Sequence, residues 1–358
     1  MVDIFNNFYK DKKVLVTGHT GFKGSWLSIW LHELGAEVMG VAHDPFTERD
    51  NFVLSGIGKK IKADIRADIR DGQKMKEIFA EYQPEIVFHL AAQPLVRLSY
   101  DEPVMTYETN VMGTINIMEA IRATDSVKVG VMITTDKCYD NKEQMRGYKE
   151  DDPFGGYDPY SSSKGACEIA IQSWRRSFFN PEDYGKKHHV SLASVRAGNV
   201  IGGGDWALDR IIPDCIKALE ADKVIEIRSP KAIRPWEHVL EPLSGYMMLA
   251  QKMWDNPTEY CEGWNFGPEN DSISTVWDVA SALVENFGKG ELKDVSDPNA
   301  VHEANLLMLD ITKAKTRLGW KPRLDAKQTI DLVADWYKRY KKEDAYQLCI
   351  EEIESFLS

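Results

Sequence analysis

Tyr160 and Lys164 are the two residues in this chain whose types and spacing most directly suggest chemistry. They stand four apart, and on a helix residues with that spacing lie on one face. The ammonium group of Lys164 can then lie near the Tyr160 phenol and lower its pKa. Such a tyrosine can take a proton from a hydroxyl group while the neighbouring carbon loses hydride. The pair is typical of a dehydrogenase, although the same spacing is also common among surface residues.

A glycine-rich turn near the start of the chain gives this pair its context. Gly18, Gly21 and Gly24 follow an apolar run at 14–16 and precede an apolar, helix-like segment at 26–31. Strand, glycine turn and helix in this order are typical of a dinucleotide site. The glycines let the backbone approach a pyrophosphate, which also lies at the positive end of the following helix. The sequence therefore predicts a dinucleotide-binding site.

Composition excludes several classes of protein. The chain has 358 residues, is 43% hydrophobic and carries a formal net charge of -12, which would repel a nucleic-acid backbone. It contains neither an apolar run near the roughly 18 residues that span a bilayer nor a basic, apolar leader at its start. We therefore expect a soluble cytoplasmic protein with no nucleic-acid or membrane partner.

The cysteines predict neither a metal site nor a disulfide framework. Their number is odd, and none of them forms a Cys-x-x-Cys pair or another metal-ligand spacing. The five positions are Cys138, Cys167, Cys215, Cys261 and Cys349. We interpret all of them as reduced thiols and expect no bound metal.

Apolar, strand-like runs alternate with helix-like segments over the first 200 residues. The expected strands after the glycine turn are 38–42, 61–65, 86–90, 129–134 and 192–195. The expected helices between them include 73–82, 110–122 and 160–179. This alternation predicts an α/β fold with a doubly wound parallel sheet of the Rossmann type.

After residue 199 the rhythm changes, which suggests a second unit. A helix is expected at 211–221 and a strand at 224–227. We predict a dinucleotide-binding domain at 1–200 and, at 201–358, mostly a smaller mixed α/β lobe that binds substrate. Segments near 232–255 are expected to pack back on the first domain. The amphipathic tail at 326–357 predicts a pair of packed helices.

With these signatures the chain resembles the extended short-chain dehydrogenase/reductase family from about residue 12 to residue 320. His89-Leu90-Ala91-Ala92 matches the family's His-x-Ala-Ala signature, and Asn110 matches its structural asparagine. His19 and Lys23 stand where small or apolar residues are usual. His89 is more often a structural histidine than a catalyst.

The resemblance implies NAD as the cofactor, although the charges near the ribose leave NADP open. It implies Asp44 as the ribose ligand and Asp68 with Ile69 beside the adenine; the similar pair Asp64 and Ile65 leaves that register ambiguous. The remaining implied cofactor residues are Gly18, Thr20, Gly21, Phe22, Lys23, Gly24, Ala91, Ala92, Asn110, Tyr160 and Lys164.

Thr135, Tyr160 and Lys164 match the catalytic trio of the family, and Thr135 is expected to hydrogen-bond the carbon-4 hydroxyl of a sugar substrate. Asp136 and Lys137 follow Thr135 directly. This segment resembles that of the sugar-nucleotide 4,6-dehydratases, and most of all the branch that acts on CDP-glucose, which has Thr-Asp-Lys where the dTDP-glucose branch has Thr-Asp-Glu.

The resemblance implies oxidation at carbon 4, loss of water across carbons 5 and 6, and return of hydride to carbon 6. Tyr160 would remove the carbon-4 hydroxyl proton, and Asp136 would protonate the departing hydroxyl. Lys137 would take the carbon-5 proton or instead stabilise the developing enolate. A neutral lysine near pH 7 requires its pKa to fall by about three units, roughly 4 to 5 kcal/mol.

Four residues are implied as ligands of the nucleotide sugar, with CDP-glucose favoured by the resemblance alone. Asn199 and Arg234 match residues that bind the phosphates in related enzymes, and a guanidinium suits a bidentate contact with phosphate. Arg210 is a second candidate for binding the phosphates. Alternatively, it is an exposed arginine at the start of a helix. His302 lies in a segment that resembles a late part of the substrate lobe.

Two other functions stay open from the sequence. A nucleotide-sugar 4-epimerase shares the tyrosine, the lysine and the ketone, but it needs no acid at carbon 6. A noncatalytic nucleotide-binding regulator would retain the fold without the chemistry. The family resemblance also implies a homo-oligomer, a dimer or tetramer, formed through the helices that begin near Asn110 and Tyr160.

Overall fold

The computed structural model describes residues 3–144, 146–269, 274–297 and 306–358. A parallel sheet of seven strands forms its centre, in the order β11-β6-β5-β4-β1-β2-β3. These strands are β1 (Lys13–Thr17), β2 (Glu37–Ala42), β3 (Ala63–Arg66), β4 (Ile86–His89), β5 (Val129–Ile133), β6 (Ser191–Ala197) and β11 (Gly263–Phe266). With helices on both faces, the sheet confirms the predicted doubly wound α/β fold.

Side chains of the central strands alternate between two separate apolar cores. Val14 and Val16 of β1 enter one core, and Leu15 between them enters the other. Phe88 and Val87 of β4 divide in the same way. Successive residues of a strand point to opposite faces, so a sheet covered on both sides requires apolar residues at every position. This requirement explains the uninterrupted apolar runs in the sequence.

Long helices cover both cores. The first face carries α1 (Phe22–Glu33) and α9 (Leu240–Asp255), and α12 (Ala345–Leu357) packs against α1. The second face carries α3 (Gly72–Tyr82), α6 (Gly113–Arg122) and α7 (Pro159–Ser177). The other helices in chain order are α2 (Asn51–Ser55), α4 (Val96–Asp101), α5 (Pro103–Tyr107), α8 (Ile211–Glu220), α10 (Val276–Phe287) and α11 (Ala326–Arg339).

Six short strands form three small pairs outside the main sheet. They are β7 (Asn199–Ile201) with β10 (Trp236–His238), β8 (Ile225–Ile227) with β13 (Leu292–Asp294), and β9 (Ile233–Arg234) with β12 (Ser274–Thr275). The first two pairs are parallel and the third is antiparallel. Together with α8 and α10, these pairs account for most of the structure between β6 and the tail.

The expected helix at 110–122 differs from the structure in where it begins. The helical path starts at Pro103, passes through a π-helical turn at Glu108–Met112 and continues as α6. Inside this turn Asn110 is buried, and its side chain bonds the backbone of Gln93 in both directions. These two hydrogen bonds hold the Asn110 side chain inside the π-helical turn. Helical periodicity in the sequence does not reveal such a turn.

The division of the chain at residue 200 stays a prediction. β11 lies among the residues assigned to the smaller lobe, and it extends the main sheet beside β6. α9 packs against β5 and β6. In the tail, α12 packs against α1 and α2, whereas α11 packs against α10. No helix within the described ranges has the length and apolar character needed to cross a membrane.

Candidate active site

The predicted site residues converge on one edge of the main sheet. β1 ends just before Gly18, β4 before Ala91, β5 before Thr135 and β6 before Asn199. Because all of these strands are parallel, their carboxyl ends meet at the same edge. The order of strands reverses between β1 and β4, and ligands of open α/β sheets bind at such a point.

The glycine turn after β1 is too tight for side chains. Gly18 has a φ of +74°, and a Cβ atom there would lie 2.8 Å from the backbone nitrogen of Ala91. A Cβ atom at Gly24 would lie 2.1 Å from the Gly18 carbonyl oxygen. Gly21 begins α1 without a side-chain cap, so first-turn amides of the helix have no such acceptor. This backbone cradle fits the pyrophosphate of a dinucleotide.

His19 points into the protein between β2 and β3. Its imidazole is fully buried, and Nε2 lies 2.7 Å from Oδ1 of Asp64. The ring fills the space above Gly40, where a Cβ atom would lie only 2.2 Å from Cδ2 of the imidazole. A histidine fits the turn because β2 has a glycine opposite it. Nearby, Thr20 ties the turn to the end of β2 by donating a hydrogen bond to the His43 carbonyl.

Acidic side chains follow β2 and β3, where the ribose and adenine ligands were predicted. Asp44 is 86% exposed and accepts a hydrogen bond of 2.9 Å from Arg66. Asp68 follows β3 and is held by Arg70, with His43 at 3.5 Å. The similar Asp64 lies within β3, beside His19. The adjacent Ile69 is buried.

The segment after β4 is fixed by buried polar contacts. His89 lies 2.7 Å from Oγ1 of Thr17 and 3.0 Å from Oγ1 of Thr114. Burial, with the nearby charge of Lys164, lowers the pKa of His89 to about 3, so the imidazole is neutral. Thr17 also accepts a hydrogen bond from the Ala91 amide. Ala91 and Ala92 are half-buried beside this network.

Thr135, Asp136 and Lys137 leave the end of β5 in a tight turn. Asp136 opens a one-turn 3-10 helix, Asp136–Cys138, and the Thr135 hydroxyl accepts a hydrogen bond from the Lys137 amide. The same hydroxyl donates to Oδ1 of Asp136 over 2.9 Å. Burial raises the pKa of Asp136, although Lys137, Thr135 and Arg234 act in the opposite direction. A raised pKa suits a carboxyl group that must hold a proton.

Tyr160 lies in the first turn of α7. Asp158 caps this helix by accepting hydrogen bonds from the amide and hydroxyl of Ser161, and the Tyr160 amide donates to Ser99. The sequence predicted a lowered pKa for the phenol. In the structure burial raises it, because the opposing effects of Thr135 and Arg210 are smaller. That prediction is therefore wrong for the protein described here.

Lys164 follows one turn later and is also buried. Burial lowers the pKa of its ammonium group, while the nearby Cys167 and Glu168 act in the opposite direction. Thr135, Tyr160 and Lys164 are all buried, and Thr135 lies close enough to Tyr160 to act on the pKa of its phenol.

Lys23 and Glu237 are two further charged groups at the site, and the sequence predicted only Lys23. Lys23 on α1 lies among the charges of Glu237, Arg210, Lys164 and Asp136, and burial lowers its pKa to about 8. Glu237 on β10 is almost fully buried and accepts a hydrogen bond of 3.2 Å from the Gly198 amide. Burial and the like charge of Glu241 raise its pKa well above the usual value.

No spacing pointed to Glu237, which lies three residues after Arg234. Only the pairing of β10 with β7 brings this carboxyl group beneath the active site.

The predicted substrate residues lie on separate short elements. Asn199 begins β7, and Arg234 ends β9 close enough for its charge to lower the pKa of Asp136. Arg210 precedes α8 and forms an ion pair of 2.7 Å with Asp205. It is half-buried, and its charge acts on Tyr160, so it belongs to the site region. His302 lies outside the described residues.

Within the described ranges, no group of three or more histidine, cysteine, aspartate or glutamate side chains is arranged to hold a metal ion. All five cysteines are buried and free.

Comparison with known proteins places this site in a family. The family model described as GDP-mannose 4,6 dehydratase matches residues 15–333. The chain belongs to this family. A curated CDP-glucose 4,6-dehydratase of Salmonella typhimurium (strain LT2) is 48% identical over 359 aligned residues, which cover 100% of this chain and 99% of that protein. The predicted resemblance to the 4,6-dehydratases is thus confirmed.

More distant relatives of the family share the fold. The dTDP-glucose 4,6-dehydratase 1 of Escherichia coli (strain K12) is 26% identical, with 95% of this chain and 98% of that protein covered. The solved structure of a dTDP-glucose 4,6-dehydratase from Bacillus anthracis, in complex with NAD, matches with a TM-score of 0.76. That match covers 94% of this chain and 99% of the solved one at 20% identity, and it supports the fold alone.

Proposed function

We propose that this protein converts CDP-glucose into CDP-4-keto-6-deoxyglucose and water. The observation that carries the proposal is the hydrogen bond between Thr135 and Asp136 beside the buried Tyr160 phenol. This arrangement places a carboxylic acid next to the base of an oxidation site. An epimerase needs the base but not the acid. The 48% identity with a CDP-glucose 4,6-dehydratase supports the choice of nucleotide.

We propose NAD as the cofactor, supported by the glycine cradle. The turn at 18–24 would hold the pyrophosphate, with Thr20, Phe22 and Lys23 beside it. Asp44 would meet the adenosine ribose, and Asp68 with Ile69 the adenine. Ala91 and Ala92 would border the cofactor, while Asn110 shapes that border through Gln93. When bound, NAD accepts hydride from the sugar and returns it within one turnover.

Tyr160 takes the carbon-4 hydroxyl proton in this proposal. Thr135 hydrogen-bonds that hydroxyl and orients it towards the phenol. Lys164, one helical turn away, would contact the ribose of the cofactor, and its positive charge would counter the burial that raises the pKa of the Tyr160 phenol. The burial of all three side chains keeps water from competing for the proton.

Asp136 gives its proton to the hydroxyl that leaves carbon 6. The ketone at carbon 4 acidifies the carbon-5 proton, which Lys137 removes and later returns. Lys137 is half-buried and directly follows Asp136 in the same 3-10 turn. Asp136 thus serves the elimination, whereas Tyr160 serves the oxidation.

Asn199, Arg210 and Arg234 bind the phosphates of the nucleotide sugar in this proposal. Both arginines act electrostatically on the catalytic groups, Arg210 on Tyr160 and Arg234 on Asp136. Guanidinium groups at these positions can bind the pyrophosphate of the substrate while its sugar reaches Asp136 and Tyr160.

We propose that the protein works as a cytoplasmic homo-oligomer. Large apolar side chains are exposed on α5, on the adjoining π-helical turn and on α7: Val104, Met112 and Ile169 are 70%, 51% and 60% exposed. Surfaces of this kind mark contacts between subunits. Size measurement in solution, repeated with charged residues at Val104 and Ile169, tests this part of the proposal.

Incubation with NAD and a panel of nucleotide-glucoses tests the function. We expect CDP-glucose to lose one water and gain a carbon-6 methyl signal in the proton NMR spectrum. An unchanged mass with inverted carbon 4 would identify a 4-epimerase instead. Binding without any product would identify a noncatalytic regulator.

A further inference from the structure

Arg49 lies in the loop between β2 and α2 and contacts three later parts of the chain. Its guanidinium carbon is 3.5 Å from the centre of the Trp206 ring. Nη2 pairs with Oε2 of Glu220, the last residue of α8, over 2.5 Å, and it also donates a hydrogen bond to the hydroxyl of Tyr340. Tyr340 in turn donates to Oε1 of Glu220 over 2.6 Å. These four residues, the Arg49 cluster, join the loop after β2 to the segment before α8 and to the ends of α8 and α11.

Trp206 directly follows Asp205, whose carboxylate holds Arg210. Oδ2 of Asp205 accepts a hydrogen bond of 2.7 Å from Arg210, and Oδ1 accepts one of 3.1 Å from the Ala207 amide. Asp205 and Trp206 are each 4% exposed. Because these two residues share a peptide bond, a contact that fixes the indole also limits where the Asp205 carboxylate can point. The position of the Arg210 guanidinium therefore depends on Trp206.

We propose that Arg49 is a positioning residue for the nucleotide sugar. By holding Trp206, it keeps Asp205, and with it the Arg210 guanidinium, in the orientation that receives the phosphates of the substrate. Arg49 acts through these residues and does not itself need to touch the substrate. The inference rests on the phosphate-binding role of Arg210 proposed above.

The charge of Arg49 makes its contact with Trp206 more than simple packing. A guanidinium within about 6 Å of an indole centre is attracted by the negative face of the ring, and more strongly where water is excluded. The Arg49 side chain is 39% exposed, whereas the indole is almost closed to solvent. The ion pair with Glu220 and the hydrogen bond to Tyr340 hold the guanidinium over the ring, so the cation leaves the ring only if both are broken.

Backbone hydrogen bonds hold the same segment independently of Arg49. The Asn51 amide donates to the Gly204 carbonyl over 3.1 Å. The Tyr337 hydroxyl donates to the Asp205 carbonyl over 2.6 Å. Replacing Arg49 should therefore change the orientation of side chains in the segment and leave its course through the fold unchanged.

The Arg49 cluster can also lose its arginine without leaving a charge unpaired. Nζ of Lys341 lies 3.0 Å from Oε1 of Glu220, and the Tyr340 hydroxyl donates to the same oxygen. Glu220 thus keeps partners in Arg49→Met, and the methionine fills a position that is partly open to solvent. We expect this variant to fold, and a thermal unfolding curve checks that it does.

Calorimetric titration with CDP, which carries the phosphates but cannot react, measures the effect on binding. We expect Arg49→Met to weaken CDP binding about 3- to 30-fold, since residues in one contact network are typically coupled by free energies of this order. Arg49→Lys keeps a cation for the indole and for Glu220, so it should recover most of the lost affinity.

The matched control is Arg122→Met. Arg122 also pairs with a carboxylate, that of Glu119, and its guanidinium carbon is 4.8 Å from the centre of the Phe178 ring. It lies at the end of α6, away from the segment before α8. Arg122→Met should bind CDP as the wild type does. Equal affinities for Arg49→Met and Arg122→Met would overturn the inference.

A double-mutant cycle shows whether Arg49 acts through Arg210. Arg210→Met alone should weaken CDP binding about 10- to 100-fold, the usual effect of losing a hydrogen bond between charged groups. Adding Arg49→Met to Arg210→Met should cause no further loss. Losses that add would contradict the inference alone. Unweakened binding by Arg210→Met would contradict the phosphate-binding role of Arg210 and the inference with it.

Turnover of CDP-glucose with NAD provides a readout that general destabilisation would not change in the same way. Arg49→Met should raise KM for CDP-glucose and change kcat little, because it weakens binding of the phosphates and leaves the reacting groups in place. A lowered kcat at an unchanged KM would contradict the positioning role. A wild type that binds CDP but forms no product would contradict the dehydration, whereas the calorimetric cycle would still decide the role of Arg49.

Discussion

Arg196 holds the carboxylate of Glu168 through two hydrogen bonds of 2.9 Å, from Nε to Oε1 and from Nη2 to Oε2. Both side chains are almost completely buried. Glu168 also accepts hydrogen bonds from Thr134 and Ser194. Since Glu168 lies one helical turn after Lys164, this pair joins the helix of the catalytic lysine to the strand ends beneath the site.

We expect Arg196→Leu to lower the free energy of unfolding by about 3 to 5 kcal/mol, because it leaves the Glu168 charge buried without its partner. The double variant Glu168→Met with Arg196→Leu should cost less than Arg196→Leu alone. Denaturant unfolding measures both. The control is Lys327→Ala, which removes an exposed ion pair with Asp331 and should change stability by at most about 1 kcal/mol. Equal losses for Arg196→Leu and Lys327→Ala would contradict the prediction.

Tyr160→Phe should abolish oxidation of CDP-glucose while the nucleotide sugar still binds, since the change removes one oxygen and keeps the ring. Calorimetric titration measures binding, and the absorbance of reduced nicotinamide measures oxidation. Tyr157→Phe is the control, because Tyr157 is in the same segment but is 78% exposed. Near-normal turnover by Tyr160→Phe would show that Tyr160 is not the base of the oxidation.

Asp136→Asn should leave oxidation in place and slow the elimination, because the amide keeps the shape but cannot donate the required proton. The expected slowing is about 100- to 10,000-fold, so the 4-keto sugar should accumulate on the enzyme. A single-turnover absorbance trace measures the oxidation, and mass spectrometry of quenched samples measures the elimination. If Asp136→Asn blocks oxidation as fully as Tyr160→Phe while substrate is bound, the two residues do not have separate roles.

Binding of NAD should weaken as the pH rises through the pKa of Lys23. Burial lowers this pKa to about 8, although the attraction of Glu237 opposes the shift. Below that pH the ammonium group is charged and favours the pyrophosphate; above it the charge is lost. A charge-assisted hydrogen bond contributes roughly 1.5 to 3 kcal/mol, so affinity should fall about five- to tenfold between about pH 7 and about pH 9.

Fluorescence titration of NAD over this range measures the fall. Lys23→Met should bind more weakly at about pH 7 and show no comparable fall. A parallel fall in Lys23→Met would assign the pH dependence to another group.

Local signals were sufficient to predict the sheet and the glycine turn. Each depends on spacing within one element or on the common edge where parallel strands end. The raised pKa of Tyr160 was not predictable, because burial depends on how many elements close over the phenol.

Other features that were not predicted depend on residues distant in sequence. His19 fits its turn because Gly40 lies opposite it on the next strand. Glu237 reaches the site through the pairing of two strands of three residues each. Neither relationship leaves a pattern in a single sequence.

The position of β11 also has a consequence for how the chain is made. β6 is buried along its whole length, and β11, which begins only at Gly263, pairs with it on the outer side. A ribosome must therefore synthesise more than sixty further residues after β6 before the sheet can be completed. Until then β6 is an unprotected apolar edge, the kind of strand that pairs with other chains. Nascent chains stalled between β6 and β11 should accordingly aggregate or recruit chaperones more than chains that continue through residue 358.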